Sequence, residues 1–291
     1  MPQTLNLMTD NRRYTLTISC PDRAGIIAAV TGFIAQHGGF IVEASYHTDQ
    51  DTQRFFMRQE IRADSLPLSA DQFRQQFSKL ADEFNMNWQL TDSAQKKRIV
   101  MLVSKQDHCL NDLLHRWRSG ELLVDIPCVI SNHPDLRSFV EWHGIPFIHL
   151  DMKDKVTAFA EISALFDQHR GDMLVLARFM QILPSDFCER YSGRVINIHH
   201  SFLPSFIGAK PYHQAHQRGV KLIGATCHFV TSELDAGPII EQDTVRVDHG
   251  DTVDDLVRYG RDIEKTVLAR GLRYHIEDRV LLCGNKTIVF R

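Results

Sequence analysis

The run Arg98-Ile99-Val100-Met101-Leu102-Val103-Ser104 decides the fold of the longer part of the chain. A continuous apolar run between polar residues fits a strand covered on both faces, as strands are in parallel sheets. Outward from it, helix-like and strand-like patterns alternate. Residues 110–119, 136–143, 156–169 and 184–191 carry helical spacing, and 126–131, 146–149, 174–177 and 195–199 read as strands. This alternation predicts a mostly parallel, Rossmann-like α/β sheet, in which ligands bind beyond the carboxyl ends of strands. Leu281 to Val289 reads as a closing hairpin turning at Gly284-Asn285.

The first ninety or so residues follow a different pattern. Residues 14–20 alternate apolar and polar, as a half-buried strand does, and Pro21-Asp22-Arg23-Ala24-Gly25 turns the chain. A helix is expected over 26–36, ended by His37-Gly38-Gly39, followed by strands over 40–48 and 54–61. A second helix is expected over 69–84 with Ser69 as its N-cap, and a short strand over 87–90. The order is βαββαβ, a ferredoxin-like arrangement. The expected boundaries are a first domain over 1–92, a polar linker over 93–97 and a second domain over 98–291.

Bulk composition narrows the function classes. With 291 residues the chain is long enough for two domains, and its 43% hydrophobic and 24% charged content is that of a globular protein. A net charge of −3 argues against nucleic acid or an anionic membrane as partner. No apolar run reaches the roughly 20 residues of a membrane span, and no signal peptide is evident. The six cysteines are scattered without a Cys-x-x-Cys pair, as expected for reduced thiols in the cytoplasm. Fifteen histidines raise the question of a metal, but there is no His-Glu-x-x-His and no obvious carboxylate partner for His213 and His216, so no metal site is expected.

The chemistry concentrates in Val195-Ile196-Asn197-Ile198-His199-His200-Ser201-Phe202-Leu203-Pro204 and, about thirty residues on, Glu233-Leu234-Asp235-Ala236-Gly237-Pro238. In a strand, Asn197 and His199 share a face. A carboxamide, an imidazole and the Asp235 carboxylate that converge would donate to an oxyanion, shuttle a proton and fix a protonation state. That set suits attack on a carbonyl carbon without a covalent intermediate. Taken singly, each residue has a plainer reading as a turn or cap residue. Their combination in one order is what points to catalysis.

Residues 174–242 resemble the formyltransferase family that uses 10-formyltetrahydrofolate. The motifs are Val175-Leu-Ala-Arg-Phe-Met-Gln-Ile-Leu183, Ile196 to Pro204, Gly208, Gly224-Ala-Thr-Cys-His-Phe-Val230 and Glu233 to Gln242, and a looser pattern extends to about 97–290. The resemblance implies that Asn197 and His199 stabilise the oxyanion of the formyl group, that Asp235 tunes the imidazole and acts in proton transfer, and that 180–183 bind a pterin through the backbone. It implies a folate pocket of Leu176, Phe179, Met180, Gln181, Leu183 and Val230, with His228 and Gly208 in support, and a cis bond at Leu203-Pro204. No separate cofactor is implied, because the folate is the substrate.

The chain also departs from the transferase pattern. Where family members that formylate a phosphorylated glycinamide have a glycine-rich loop, this chain has Ser104-Lys105-Gln106-Asp107-His108-Cys109-Leu110. Without glycine, close backbone approach to a phosphate is harder, and Asp107 would repel a dianion, although Lys105 and His108 would partly compensate. The usual Pro after the catalytic His is His200. Residues 10–92 resemble an ACT domain, a module that pairs through its sheet and binds amino acids. That implies an effector site at Asp22, Arg23, Gly25 and Ile26, with glycine or methionine as effector, or a purely oligomerising role, and a dimer or tetramer. ACT-like and formyltransferase-like halves together are similar to the hydrolytic branch of that family. Members of this branch deformylate 10-formyltetrahydrofolate with water, supplying formate for purine synthesis and balancing the one-carbon pool. Transfer to an amine, a non-enzymatic folate- or amino-acid-binding regulator, and a metal-dependent hydrolase are the alternatives.

Overall fold

A computed structural model of the chain describes residues 12–205 and 210–291. It divides into two compact units, one reaching to Gln95 and including Phe290 and Arg291, the other Lys96–Val289.

The first unit contains β1 (Arg13–Pro21), α1 (Ile26–Gln36), β2 (Ile41–Asp49), β3 (Arg54–Arg62), α2 (Ala70–Glu83) and β4 (Asn87–Asp92). Its sheet is antiparallel in the order β2-β3-β1-β4, the ferredoxin-like arrangement expected from the sequence. Ser69 caps α2: its hydroxyl accepts from the Gln72 amide, and the Gln72 side chain accepts from the Ser69 amide. The helices bury Ile26, Val30, Ile34, Phe73 and Phe77 against Leu16, Ile18 and Met57. Phe77 meets Phe33 and Trp88 edge-on, at 5.3 and 4.8 Å between centroids. Phe77→Ala is expected to destabilise this unit by about 3–5 kcal/mol. Hydrogen exchange of the β1 and β4 amides measures it, because exchange resolves the stability of separate regions.

In the second unit, β5 (Lys97–Val103) has Ile99, Met101 and Val103 in one core and Val100 and Leu102 in another, so both faces are covered. α3 (His108–Ser119) begins two residues earlier than its apolar spacing suggested. Of the strand expected over 126–131 only β7 (Val129–Ser131) forms, and a short β6 (Val124–Asp125) precedes it. Pro127 lies between them and has no N–H for a ladder. Then come α4 (Arg137–Trp142), β8 (Phe147–His149), α5 (Lys155–Gln168), β9 (Met173–Ala177), α6 (Ser185–Arg190) and β10 (Val195–His199). α7 (Pro211–Arg218), β11 (Leu222–Phe229), β12 (Ile239–Arg246) and α8 (Val253–Ile276) follow, and β13 (Val280–Cys283) and β14 (Lys286–Val289) form the expected hairpin.

The sheet path is β12-β11-β10-β9-β5-β7-β8, parallel except where β11 joins β10 and β12, with β6 beside the start of β5. From β5 the chain moves outward through β7 and β8, then returns to the other side of β5 for β9 and β10. That reversal opens a crevice beyond the ends of β5 and β9. Ser104 bridges it, accepting from the Met180 amide at 3.1 Å and donating to Asn132 at 2.6 Å. α8 packs so closely on β11 that a Cβ at Gly271 would lie 2.5 Å from Cys227 Sγ. Among the described residues, no helix is long and apolar enough to cross a membrane.

Candidate active site

β10 delivers two polar side chains to the crevice. Asn197 stands opposite His228 of β11 in the antiparallel ladder, and its Nδ2 donates to His228 Nε2 at 3.2 Å. The tautomer follows from the other nitrogen: His228 Nδ1 faces the Phe229 carbonyl at 2.8 Å, so it carries the proton and Nε2 accepts. On the other side of β11, its ladder with β12 shifts register between Cys227 and His228, a bulge of the kind found beside active sites. Burial, countered in part by the Phe229 bond and by Asp235, holds the His228 pKa below its ordinary value. This side chain therefore orients the carboxamide.

Two residues along, His199 Nδ1 lies 3.2 Å from Asp235 Oδ1, and its buried Nε2 has no hydrogen-bond partner among the described residues. One nitrogen is thus anchored and the other is available to a bound molecule. Burial opposes the Asp235 charge, but the hydrogen bond and charge of His199, helped by His228, outweigh it and hold the carboxyl below its ordinary range. Asp235 reaches this position from a strained turn. Its φ is +56°, a left-handed conformation that costs an ordinary residue roughly 1–2 kcal/mol and that Asp tolerates better than most. Two residues later, a Cβ at Gly237 would fall 1.8 Å from the Phe229 carbonyl oxygen. Only glycine lets this turn fold onto the end of β11.

A cavity of about 390 Å³ contains Asn197, His199, His228 and Asp235 together with Leu176, Phe179, Met180, Gln181, Leu183 and Val230. The structure thus brings the sequence-nominated residues of this half into one place, with Gly208 outside the described residues. Phe179 is buried in the wall, whereas Met180 and Ile182 are exposed at the rim. The Leu203–Pro204 bond is cis, and Thr226 holds the loop around it by accepting from the Leu203 amide and donating to Ser201 O.

Further residues come from outside Val195–Pro204 and Glu233–Pro238. Arg178, at φ +66°, donates to Gln106 at 2.8 Å and lies 3.4 Å from the fully buried Glu264. Glu264 also accepts from His108 at 2.7 Å and from Tyr212 at 2.6 Å. His108 therefore faces a carboxylate within the protein rather than serving as a free cation for phosphate, contrary to the compensation expected of it. Burial opposes the Glu264 charge, but His108, Arg178 and Tyr212 outweigh it and keep the carboxyl below its ordinary range. His108, Cys109 and Glu264 have donor atoms within 4.8 Å of one another, yet they fit a cation poorly. A guanidinium already stands beside Glu264, and burial pushes the Cys109 thiol up. Glu264 sits in α8, which the sequence reading left unassigned. The signal was present in Thr252-Val-Asp-Asp255, whose end residues form a capping box.

In the first unit, Asp22, Arg23, Gly25 and Ile26 line a separate cavity of about 510 Å³ with Thr48 and Phe55. Gly25 caps α1 at φ +93°. Arg23 is turned aside, donating to the Glu83 carbonyl and lying over the Phe84 ring.

Residues 97–272 match the formyl transferase family. Over 282 residues the chain is 49% identical to the formyltetrahydrofolate deformylase of Synechocystis sp., covering 96% of this chain and 99% of that protein. The chain belongs to the formyltetrahydrofolate deformylase family. The crystal structure of a deformylase from Pseudomonas syringae pv. tomato superposes with a TM-score of 0.95 at 62% identity, over 98% of this chain and 96% of that one. The phosphoribosylglycinamide formyltransferase of Anaplasma phagocytophilum matches 68% of this chain and 96% of its own, at 33% identity and a TM-score of 0.63. The deformylase match thus spans both units, and the transferase match about two thirds of the chain.

The deformylase-family site has an acid-sensitive wall. Burial and the nearby Arg178 charge push the His200 pKa down from 6.5 to about 4. As pH falls, the unfolded chain takes up this proton first, so stability present above pH 6.5 is lost on the way down to about 4. Replacing His200 with Asn should flatten the slope by at most roughly 3 kcal/mol across that window. Urea unfolding at several pH values tests this, and an unchanged slope would mean that the imidazole is solvated.

Proposed function

We propose that this chain hydrolyses 10-formyltetrahydrofolate to tetrahydrofolate and formate, with Asn197, His199 and Asp235 as its catalytic residues. The observation that carries the reading is the pairing of His199 Nδ1 with Asp235, while the buried Nε2 has no partner among the described residues and the residue lines a cavity with apolar walls. Water beside Asp235 and His199 attacks the formyl carbon. Asn197 and His199 donate to the oxygen as it gains charge. The bond from carbon to N10 then breaks, N10 takes a proton, and formate leaves. Leu176, Phe179 and Val230 wall the pterin, and the backbone of 180–183 reads its edge. The relationship to the deformylases supports water as the acceptor.

In the first unit, the cavity at Asp22 to Ile26 is our proposed effector site for glycine or methionine. β2 at the sheet edge, with Phe40, Val42 and Tyr46 exposed around it, supports pairing of copies into a dimer or tetramer. The released formate would supply purine synthesis. That the six cysteines are buried as thiols supports a reducing, cytoplasmic setting.

Purified protein should release one formate per tetrahydrofolate with no amine present. Asn197→Ala and Asp235→Asn should each lower kcat about 10²–10³-fold while circular dichroism stays that of the wild type. Wild-type kinetics in either variant would remove that residue from the mechanism.

A further inference from the structure

Arg178, Met180, Gln181 and Leu183 line the cavity from one short loop between β9 and α6. No helix or strand holds this loop in shape. Arg178 sits at φ +66°, in the left-handed region that an ordinary residue enters at a cost, and the Gln181 amide donates to the Phe179 carbonyl only two residues back. A backbone in such a conformation persists only where its surroundings hold it there.

The hold comes from the glycine-free segment after β5. Ser104 is 3% exposed, and its hydroxyl accepts from the Met180 amide at 3.1 Å while donating to Asn132 Oδ1 at 2.6 Å. The single hydroxyl proton goes to Asn132, so a lone pair is left to face Met180. Two residues on, Gln106 Oε1 accepts from Arg178 Nε at 2.8 Å. The loop is thus gripped at a backbone amide and at a side chain two positions apart, and Asn132 ties the grip to the end of β7. Ser104 and Gln106 stand outside the cavity lining, so whatever they do for a bound molecule passes through the loop.

We propose that Ser104 and Gln106 are positioning residues that preset loop 178–183 for the folate, so that their effect falls on substrate affinity and not on the chemical step. This rests on the deformylase reading above and goes beyond it to what shapes the substrate pocket. Asn197 and His199 come from β10 and Asp235 from the turn after β11, and neither contact includes them. A loop that is out of place for part of the time lowers affinity by the fraction of molecules in the competent form. Once folate is bound and the loop is in place, the groups that act on the formyl carbon are unaltered.

Steady-state kinetics on 10-formyltetrahydrofolate, with formate and tetrahydrofolate both quantified, test this in wild type, Ser104→Ala, Ser104→Thr, Gln106→Ala and Gln106→Glu. Loss of either hydrogen bond should raise KM about tenfold and leave kcat within about threefold of wild type. In calorimetric titrations, tetrahydrofolate should bind the two alanine variants about tenfold more weakly. Ser104→Thr keeps the hydroxyl, and Gln106→Glu keeps an acceptor for Arg178, so both should return KM toward wild type. General destabilisation does not imitate this pattern, because it reduces the active fraction and lowers kcat without raising KM. Gln106 is only half-buried, so its variants carry the test if Ser104→Ala misfolds. An unchanged KM in the folded alanine variants, or a fall in kcat at unchanged KM, overturns the proposal. No formate from wild type without amine overturns the deformylase reading instead.

Discussion

Asp235 can meet His199 because the turn at 235–238 lies directly against the end of β11. Gly237 has no room for a side chain beside the Phe229 carbonyl, and Asp235 holds a left-handed conformation. The Phe229 amide donates to Pro238 O at 2.9 Å, which ties the turn to the strand. Phe229 in turn fixes the tautomer of His228, and His228 orients Asn197. One short backbone contact therefore underlies the positions of Asn197, His199 and Asp235. The strain at Asp235 is held by the surrounding sheet, as strain at functional positions generally is.

The electrostatics of the cavity walls and of the cluster around Glu264 differ. Leu176, Phe179 and Val230 give part of the cavity apolar walls. Around Glu264, cationic and anionic groups are buried together, and their charges are compensated by one another rather than by water. His200 is held neutral by burial and by the nearby Arg178 charge. Burial of ion pairs adds little net stability compared with apolar packing. What such a cluster gives is a fixed arrangement, here of Arg178, which lines the cavity.

Much of this was legible in sequence. Burial of β5 on both faces was readable from an uninterrupted apolar run, and the helix cap at Ser69 from its place ahead of an amphipathic stretch. Asn197 and His199 on one face followed from the two-residue period of a strand. Less legible were elements whose pattern was interrupted or mixed. Pro127 shortens the expected strand to its last three residues, and α8 hides its inward face among many charged residues. His108 and Glu264 are 156 positions apart, so no local period connects them.

The sequence by itself determined the two kinds of sheet, the alternation of strands and helices as far as β10 and the identity of the polar groups at the end of β10, because these depend on local periodicity and on residue chemistry. Only the tertiary structure decided which nitrogen of His199 is anchored, which tautomer His228 holds and which donors saturate Glu264. Those depend on distances of a few ångströms between strands and helices far apart in the chain, set by how the sheet and α8 pack.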